Sequence, residues 1–599
     1  MSRYATKPGN HTGMPPGVPH IIGNEAAERF SFYGMKGILA VFMVQYLHLM
    51  NDTPGEAMSE TIASSNYHLF NFWVYFTPVA GALLADLFWG KYRTIIYLSV
   101  VYVLGHGALA LMGVAGDARW WLFGGLALIA IGSGGIKPCV SAHVGDQFGA
   151  TNAHLLPKIF NWFYFSINLG AMVSMLLTPW LLQWYGPHWA FGVPGVLMAL
   201  ATFVFWLGRT RFVHIPVKKE QTLAELKSPE GLRSVLALAP LYLFVAMFWA
   251  LFDQTGSSWV FQAQDMDRHF LGHHWLPSQL QSLNSLFVLS FIPLFAYGLY
   301  PALDKVWALT PLRKIGIGLF VMSSSFVLVA LTQMRIDAGA SPNVGWQVLA
   351  YALLTASEVM VSIVALEFAY TQAPKTMKSM VMCFFLFAVA LGNVFTAGIN
   401  RLIAIPVPEK TELYADDATG YAGADGEIGT GDDLMFAEEG VFAQALAALE
   451  LREGSFPATF NEDGQWKDLW GQPLDYRVLN SRTVRLSSPG PDGKSKTKWD
   501  QGVTLTLPEV VAEKKKSWSD VFVPAEPWLE KRKRELGLGQ EGESAEERRY
   551  PFEVANYSGG GSRLEGASYF WFFAGVMLLT AFGFIPYARK YRGQIILQD

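Results

Sequence analysis

The chain has little charge and almost no cysteine. Asp, Glu, Lys and Arg make up 16% of its 599 residues, whereas hydrophobic residues make up 51%. A soluble globular protein carries about 25% charged residues, so this chain lacks the charge needed to coat a water-exposed surface of its size. Its two cysteines, Cys139 and Cys383, both lie within apolar runs, which argues against a structural disulfide.

Signals for processing and for enzymatic chemistry are also missing. No early apolar stretch ends in a small-residue cleavage site, so we expect no removable signal peptide. The chain has no His-Glu metal motif, no nucleophile elbow and no phosphate-binding loop. We therefore expect a protein that is not an enzyme and that needs no cofactor.

Long apolar runs take the place of these features. Twelve runs have about 20 residues or more, the length that crosses ~30 Å of hydrocarbon. Six precede a charged connector and six follow it, and an acidic segment with 19 basic and 30 acidic residues separates the last two. We predict an all-α membrane protein with residues 1–207 as a six-helix bundle, 208–234 as a linker, 235–402 as helices seven to eleven, 403–566 as an insertion, and 567–599 as helix twelve and a tail.

The positions of lysine and arginine predict the orientation. With both termini in the cytoplasm, nineteen basic residues lie in or beside the cytoplasmic loops and four lie on the other side, outside the acidic insertion. Cytoplasmic loops of membrane proteins carry such an excess, whereas long domains cross largely regardless of charge. The insertion is therefore predicted to be extracytoplasmic, and we expect an integral plasma membrane protein, most consistent with a bacterial inner membrane.

Several ionisable residues lie within the predicted spans or at their ends. A charged side chain at a helix centre costs about 2.5–3.5 kcal/mol on insertion scales, so such residues usually mark a functional path. They are Glu25, Glu28, Arg29, Lys36, His68, Lys137, Asp253 and Glu358. This number favours a path for a solute or proton through the bundle.

The first span carries two acids and one arginine on one helical face. Glu25, Glu28 and Arg29 are spaced i, i+3 and i+4. An acid pair beside an arginine can hold or pass a proton, but the same spacing also suits a static salt bridge. His68 is equally open, because a histidine there could be a proton site or a helix-packing hydrogen bonder.

A loop motif at the end of the second span resembles that of the major facilitator superfamily. Residues 81–93 follow the pattern G-x-x-x-D-x-x-x-G-R/K-x-R/K, with Asp86, Lys91 and Arg93 at its charged positions. A weaker form of the motif, Asp304-Lys305 followed by Arg313-Lys314, lies at the equivalent place in the second half. The resemblance implies the fold of that superfamily and a gating role for Asp86, Lys91 and Arg93.

Five further segments resemble signatures of the proton-dependent oligopeptide transporter (POT/PTR) family. Asn24 to Met35 resembles the signature E-x-x-E-R-F-x-Y-Y-G, residues 132–148 and 163–170 resemble the next two, and residues 248–257 and 357–374 contain later matches. The residues of these motifs are closer to those of the animal peptide transporters than to those of typical bacterial members. The resemblance implies proton-coupled import of di- and tripeptides, and of peptidomimetics, by a monomer.

The resemblance also implies roles for individual residues. Arg29, Lys36 and Lys137 would face the peptide carboxylate and Glu358 its amino group. Proton coupling would involve Glu25, Glu28, Arg29, His68 and Lys137. Further substrate-binding residues would be Tyr33, Tyr75, Asn168, Gln254, Trp259 and Asn284.

The sequence departs from the family pattern at several of these places. Phe32 replaces the first signature tyrosine, and Phe42 stands where a pocket tyrosine is usual. Lys36 replaces an arginine and so lacks bidentate geometry towards a carboxylate. Ser258 and Ala296 replace a charged pair of the animal members. These changes are expected to alter substrate preference and to remove one gate.

The insertion resists assignment from sequence. Tyr476–Leu486 and Val503–Leu507 have the composition of strands, and Glu530–Arg549 that of a helix or a disordered segment. Clustered acids near turn glycines make Asp425, Asp432, Asp433 and Asp492 weak calcium candidates; a solvated acidic loop is the alternative, and no other metal site is predicted.

Two other functions stay open. Related plant proteins move nitrate and other small anions or organic solutes by the same kind of fold. A receptor or adaptor that uses the insertion to bind a partner is a different class. No nucleic-acid partner is expected.

Overall fold

The computed structural model describes residues 4–9, 12–217, 219–220, 229–372, 378–408, 435–436, 440–452, 454–508, 523–538 and 550–591. Twelve helices within these residues are long and apolar enough to cross a membrane. They are α1 (Val18–Leu49), α2 (Glu60–Trp89), α3 (Lys91–Ala110), α4 (Ala118–Gly145), α5 (Ala153–Tyr185), α6 (Pro187–Thr210), α7 (Leu236–Gln264), α8 (Pro277–Asp304), α9 (Pro311–Asp337), α10 (Gly345–Ala369), α11 (Cys383–Ile403) and, after two short helices of the insertion, α14 (Ala567–Lys590). The predicted number of spans is confirmed.

The spans form two bundles, each with its own apolar core. One core is built from α1 to α6 and contains Phe32, Phe42 and Tyr102. The other is built from α7 to α11 and α14 and contains Trp259 and Phe573. The closing helix of the second bundle therefore comes from beyond the insertion.

Small residues and polar caps explain how these helices start and pack. The side chains of Ser59, Asp117 and Thr310 accept hydrogen bonds from backbone N–H groups at the starts of α2, α4 and α9. A Cβ atom at Gly81 of α2 would lie 2.2 Å from the carbonyl oxygen of Gly134 in α4. Glycine is therefore required where these two helix backbones approach closely.

Loops and the insertion define two sides of the helical body. We call the end where α1 stops and α2 starts, and where the insertion begins, the insertion side. Hydrogen bonds that join the bundles cluster towards it. Gln281 of α8 donates to the Gly37 carbonyl at 2.9 Å, and Ser65 of α2 donates to the Ala397 carbonyl at 3.0 Å. The bundles are thus in contact on the insertion side.

The insertion contains a small folded unit with its own core. Four antiparallel strands lie in the order β3 (Asp475–Val478), β4 (Thr483–Ser488), β5 (Gln501–Thr506), β6 (Glu553–Ser558). Helix α12 (Val441–Ala448) packs on the sheet through Phe442 and Leu446. A two-stranded hairpin, β1 (His269–Phe270) and β2 (His273–His274), lies separately between α7 and α8.

The structure corrects one sequence expectation for the insertion and bears on another that the sequence left open. Residues 476–486 were predicted as one strand, but a turn closed by the Leu479 N–H bond to the Thr483 carbonyl, at 2.9 Å, divides them into β3 and β4. For Glu530–Arg549 the sequence left a helix or a disordered segment open; residues 530–535 belong to helix α13 (Trp528–Glu535). Residues 539–549 lie outside the described part of the chain.

The insertion contacts both bundles. On the second bundle, Asn480 donates to Asp265, which follows α7, at 2.8 Å. On the first bundle, Trp528 of α13 stacks on Tyr46 of α1 at 5.7 Å between ring centroids. Arg532 of α13 donates to the Leu49 and Asn51 carbonyls at 3.0 Å each. The insertion therefore bridges the two bundles on the side where they touch.

Candidate functional site

A buried cluster of charges joins α1 and α4. The Nε of Arg29 lies 2.8 Å from Glu25 Oε1 and 3.3 Å from Glu28 Oε2, while Lys137 Nζ lies 3.7 Å from Glu28 Oε1. Glu25, Glu28 and Lys137 have side chains at most 4% exposed. Because a buried charge must be compensated, the two acids and two bases are electrostatically dependent on one another.

A second group of polar residues crosses between the bundles. Lys36 of α1 pairs with Asp253 of α7 at 2.7 Å, and the other oxygen of Asp253 accepts from Asn393 of α11 at 2.7 Å. Asn393 Oδ1 lies 2.9 Å from His68 Nδ1, and His68 Nε2 lies 3.2 Å from the hydroxyl of Ser257. We call these five residues the interbundle chain.

In the interbundle chain, Lys36 and His68, both predicted as site residues, have partners that the sequence did not indicate. Lys36 was expected to face a peptide carboxylate, and here its ammonium group is held by Asp253. Sequence reasoning identified Asp253 as a charge in a span and gave it no role; Asn393 was missed, since an asparagine in an apolar run carries little signal. Ser257 was quoted as part of a family motif, again without a role.

The carboxylate of Glu358 stands in the second bundle, at the middle of α10. It accepts a hydrogen bond from Asn284 of α8 at 2.7 Å, and Asn284 also lies 3.1 Å from the Thr355 hydroxyl. A π-helical turn, Val359–Ile363, follows it directly. Such turns are frequent at functional sites because they displace the helix backbone locally.

The predicted lining residues fall into two groups. Tyr33 lies within electrostatic range of both Arg29 and Glu358, and Tyr75 has Lys137 above its ring at 5.6 Å. Asn168 is 9% exposed and donates to the Tyr164 carbonyl at 3.0 Å. Tyr33 shares α1 with the charged cluster, whereas Tyr75 lies on α2 and Asn168 on α5.

Gln254 and Trp259 are packed inside the second bundle. Gln254 donates to the Ala250 carbonyl at 3.1 Å and accepts from Ser258 at 3.2 Å. Trp259 is fully buried against Tyr351 and Phe326, at 5.0 and 5.6 Å between ring centroids. In this conformation neither side chain is exposed to a substrate path. Their predicted substrate contact stays a prediction.

Phe42, noted in the sequence as a departure from the family pattern, is likewise a packing residue here. It is fully buried and meets Phe191 edge-on at 5.0 Å.

The loop motif lies at the end opposite the insertion. Lys91 pairs with Asp146 at 2.8 Å and so joins the start of α3 to the end of α4. Asp86 lies in a π-helical segment that ends at Gly90, whose φ of +74° suits glycine. Arg93 is exposed. The predicted gating role of Asp86, Lys91 and Arg93 stays a prediction.

Most of the calcium candidates lie in parts of the chain that the structure does not describe. Asp425, Asp432 and Asp433 fall outside the described residues. Asp492 is exposed and accepts from the Lys494 N–H at 3.0 Å. Within the described residues, no three His, Cys, Asp or Glu side chains are grouped so as to hold a metal ion.

Taken together, the charges have a clear polarity. The first bundle contains Lys137, a cation without a hydrogen-bond partner among the described residues, and the second contains a carboxylate with a single described hydrogen-bond donor. An arrangement of this kind can bind a small molecule that carries opposite charges at its two ends, and it can exchange protons through the Glu25–Glu28–Arg29 cluster.

Comparison with known proteins agrees with this geometry. The family model PTR2, described as the POT family, matches residues 92–228 and 217–412. Because the matches span more than half of the chain, the protein belongs to the POT family. The family predicted from the signature motifs is confirmed.

Relatives of known name and structure extend the comparison. Human solute carrier family 15 member 2 is 37% identical over 406 residues, which are 59% of this chain and 54% of that protein. Peptide transporter family 1 of Drosophila melanogaster is 37% identical over 371 residues, 54% of this chain and 48% of that protein. The chain therefore spans about half the length of these curated relatives.

The match to a solved structure extends over most of the solved protein's length. The crystal structure of the POT family transporter PepTSo is 36% identical, has a TM-score of 0.59, and matches 65% of this chain and 90% of its own. This likeness confirms the predicted major facilitator fold.

Proposed function

We propose that the protein is a proton-coupled symporter that imports di- and tripeptides by alternating access. One observation carries the proposal. Lys137 and Arg29 in the first bundle and Glu358 in the second present opposite charges from opposite bundles. Short peptides differ in side chain but share an ammonium and a carboxylate terminus. Contacts to the two termini therefore accommodate many peptides, and peptidomimetics that keep both charges.

Proton coupling follows from competition for the same cations. Arg29 is engaged by Glu25 at 2.8 Å and approached by Glu28 at 3.3 Å. A peptide carboxylate that binds Arg29 or Lys137 must compete with these acids. Protonation of either acid removes a competing negative charge, so proton binding and peptide binding favour each other.

The interbundle chain supplies the link to alternating access. Lys36 and Asp253 come from different bundles and hold them together on the insertion side. We infer that this conformation is closed towards the insertion and would release its substrate on the opposite side. With both termini in the cytoplasm, that opposite side is the cytoplasm. Coupling to the inward proton gradient across a bacterial inner membrane would then drive net import.

The names of its relatives support the substrate class. The Drosophila relative is called a peptide transporter, and the solved relative is called a POT family transporter. The retained acid–acid–arginine cluster favours peptides over nitrate. We expect a monomer, because each bundle closes its own core within one chain.

The test is uptake of radiolabelled dialanine into proteoliposomes, with and without an inward proton gradient. We compare wild type with Glu358→Gln and with Glu462→Gln, an exposed carboxylate of the insertion. Gradient-driven accumulation that is lost only in Glu358→Gln supports the proposal. If the wild-type protein accumulates no dialanine but binds nitrate without competition from dipeptides, nitrate transport would replace peptide import as the proposed function.

A further inference from the structure

Phe32 has two lysine ammonium groups near its ring. Lys137 Nζ stands 4.1 Å from the centroid of its ring, and Lys36 Nζ stands 5.9 Å from the same centroid. The ring itself is fully buried. Both distances fall within the range in which an aromatic face attracts a cation, and the attraction is strongest where water is excluded.

The two lysines differ in what else holds them. Lys36 has a direct hydrogen bond of 2.7 Å to Asp253. Lys137 has only Glu28 at 3.7 Å, beyond hydrogen-bonding distance, and among the described residues its ammonium group has no hydrogen-bond partner. Of the two aromatic faces near this ammonium group, Phe32 at 4.1 Å is closer than Tyr75 at 5.6 Å, and the Lys137 side chain is only 4% exposed.

We propose that Phe32 is a positioning residue that holds the Lys137 ammonium group for the peptide carboxylate. The role rests on the proposed function. An aromatic face attracts a cation without accepting its N–H donors, of which an ammonium group has three. Lys137 can thus be held in place while its donors remain available to an arriving carboxylate. A carboxylate or amide support at the same place would occupy those donors and compete with the substrate.

Phe42 shows what a packing phenylalanine in the same helix looks like. It is as fully buried as Phe32, but its ring neighbours are Phe191 at 5.0 Å and Tyr46 at 6.4 Å. Both phenylalanines belong to the core of the first bundle. The difference between them is the cation on the face of Phe32, which makes Phe42 a matched control.

The experiment changes the charge distribution of the ring while keeping the shape of the ring. Phenylalanines with one, two and three ring fluorines are introduced at position 32 and, separately, at position 42. Fluorination weakens the negative face of the ring in steps. We expect the KM for dialanine to rise in steps at position 32, reaching about tenfold at three fluorines. At position 42 we expect no trend, and we expect similar unfolding temperatures in both series.

Three substitutions with natural amino acids complete the test. Phe32→Tyr retains the ring face and is expected to stay within about twofold of the wild-type KM, which is less than ~0.5 kcal/mol. Phe32→Leu removes the face and is expected to match the trifluorinated variant, whereas Phe42→Leu lowers the unfolding temperature without a comparable rise in KM.

The outcomes separate the two proposals. A KM that is flat across the fluorine series at position 32, in protein that transports dialanine, overturns the positioning role and leaves the proposed function standing. Equal trends at positions 32 and 42 would also overturn it, since only packing is shared by both. Wild-type protein that accumulates no dialanine overturns the proposed function and this role together.

Discussion

Asn393 donates to Asp253 at 2.7 Å, and this bond orients the carboxylate that pairs with Lys36 of the opposite bundle. One amide from α11 thus sets the geometry of an ion pair between α1 and α7. Its other end faces His68 at 2.9 Å. The contact between the two halves therefore depends on a neutral residue that carries no charge of its own.

The Lys36–Asp253 pair should be strongly coupled energetically. Their side chains are 8% and 4% exposed, so removing one partner leaves an uncompensated buried charge. Such a loss costs about 3–5 kcal/mol. We expect Lys36→Met to lower the thermal unfolding temperature sharply, and the double variant Lys36→Met/Asp253→Asn to recover much of the loss without recovering dialanine uptake.

The control for this pair is Asp146→Asn. It breaks the Lys91–Asp146 pair, whose side chains are 28% and 19% exposed. Solvent weakens such pairs, so the expected change is smaller, about 1 kcal/mol. If the single and double variants at positions 36 and 253 are equally unstable, the buried pair is not coupled as described.

Glu25 should separate proton coupling from peptide binding. It accepts a hydrogen bond of 2.8 Å from Arg29, and charged hydrogen bonds contribute about 1.5–3 kcal/mol. We expect Glu25→Gln to reduce gradient-driven accumulation of dialanine about tenfold or more. Exchange of peptide across the membrane, measured by counterflow without a gradient, should continue. Loss of both activities to the same extent would show that Glu25 acts in binding alone.

Helix α13 should restrain opening on the insertion side. Arg532 donates to two carbonyls at the end of α1, and Trp528 stacks on Tyr46. These contacts tie the insertion to the first bundle, while Asn480 and Asp265 tie it to the second. Since the bundles must part on this side for the opposite conformation to form, we expect Trp528→Ala/Arg532→Ala to increase the fraction of molecules open towards the insertion.

Spin-label distances measure that fraction directly. Val114 and Leu271 are exposed on the insertion side of the first and second bundles, and each can be replaced by labelled cysteine after removal of Cys139 and Cys383. The double α13 variant should show a larger population at long distance. Lys531→Ala, on the exposed face of the same helix, should not. Identical distributions in all three would show that α13 does not restrain the bundles.

The contact at Asp265 should be sensitive to pH. Burial raises the pKa of Asp265 to about 6, against the opposing effect of its hydrogen bond from Asn480, and Asp337 adds to the rise. Glu60 also faces it. A carboxyl with a raised folded-state pKa binds protons more tightly when folded. The free energy of unfolding therefore decreases as pH rises from the ordinary value of 3.8 to the folded value of about 6, and it levels off above that.

We therefore expect the unfolding temperature of the wild type to fall between about pH 4.5 and pH 6.5 and to level off at higher pH. Asp265→Asn should flatten this dependence and be the more stable protein at the higher pH. Asp267→Asn is the control: the backbone N–H of His269 and the amide of Asn343 lower the pKa of Asp267, so this group stays ionised throughout the range. An unchanged slope in Asp265→Asn would mean that other groups dominate.

Much of the site could be predicted because helical spacing is local. Glu25, Glu28 and Arg29 share one face in the structure as their spacing requires. The signature motifs then indicated the family to which they belong. The partners of Lys36 and His68 could not be predicted in the same way, because Asp253 and Asn393 lie 217 and 325 residues away from them in sequence.

The amino-acid sequence by itself determined the twelve spans and the place of the insertion, because only long apolar helices satisfy their backbone hydrogen bonds in lipid. It also determined which residues line one face of α1. The tertiary structure decided which charges compensate one another across the bundles, that Phe32 carries a cation while Phe42 only packs, and that α13 docks on α1. These outcomes depend on distances between elements far apart in the chain, and burial makes such contacts energetically decisive only once the helices have packed.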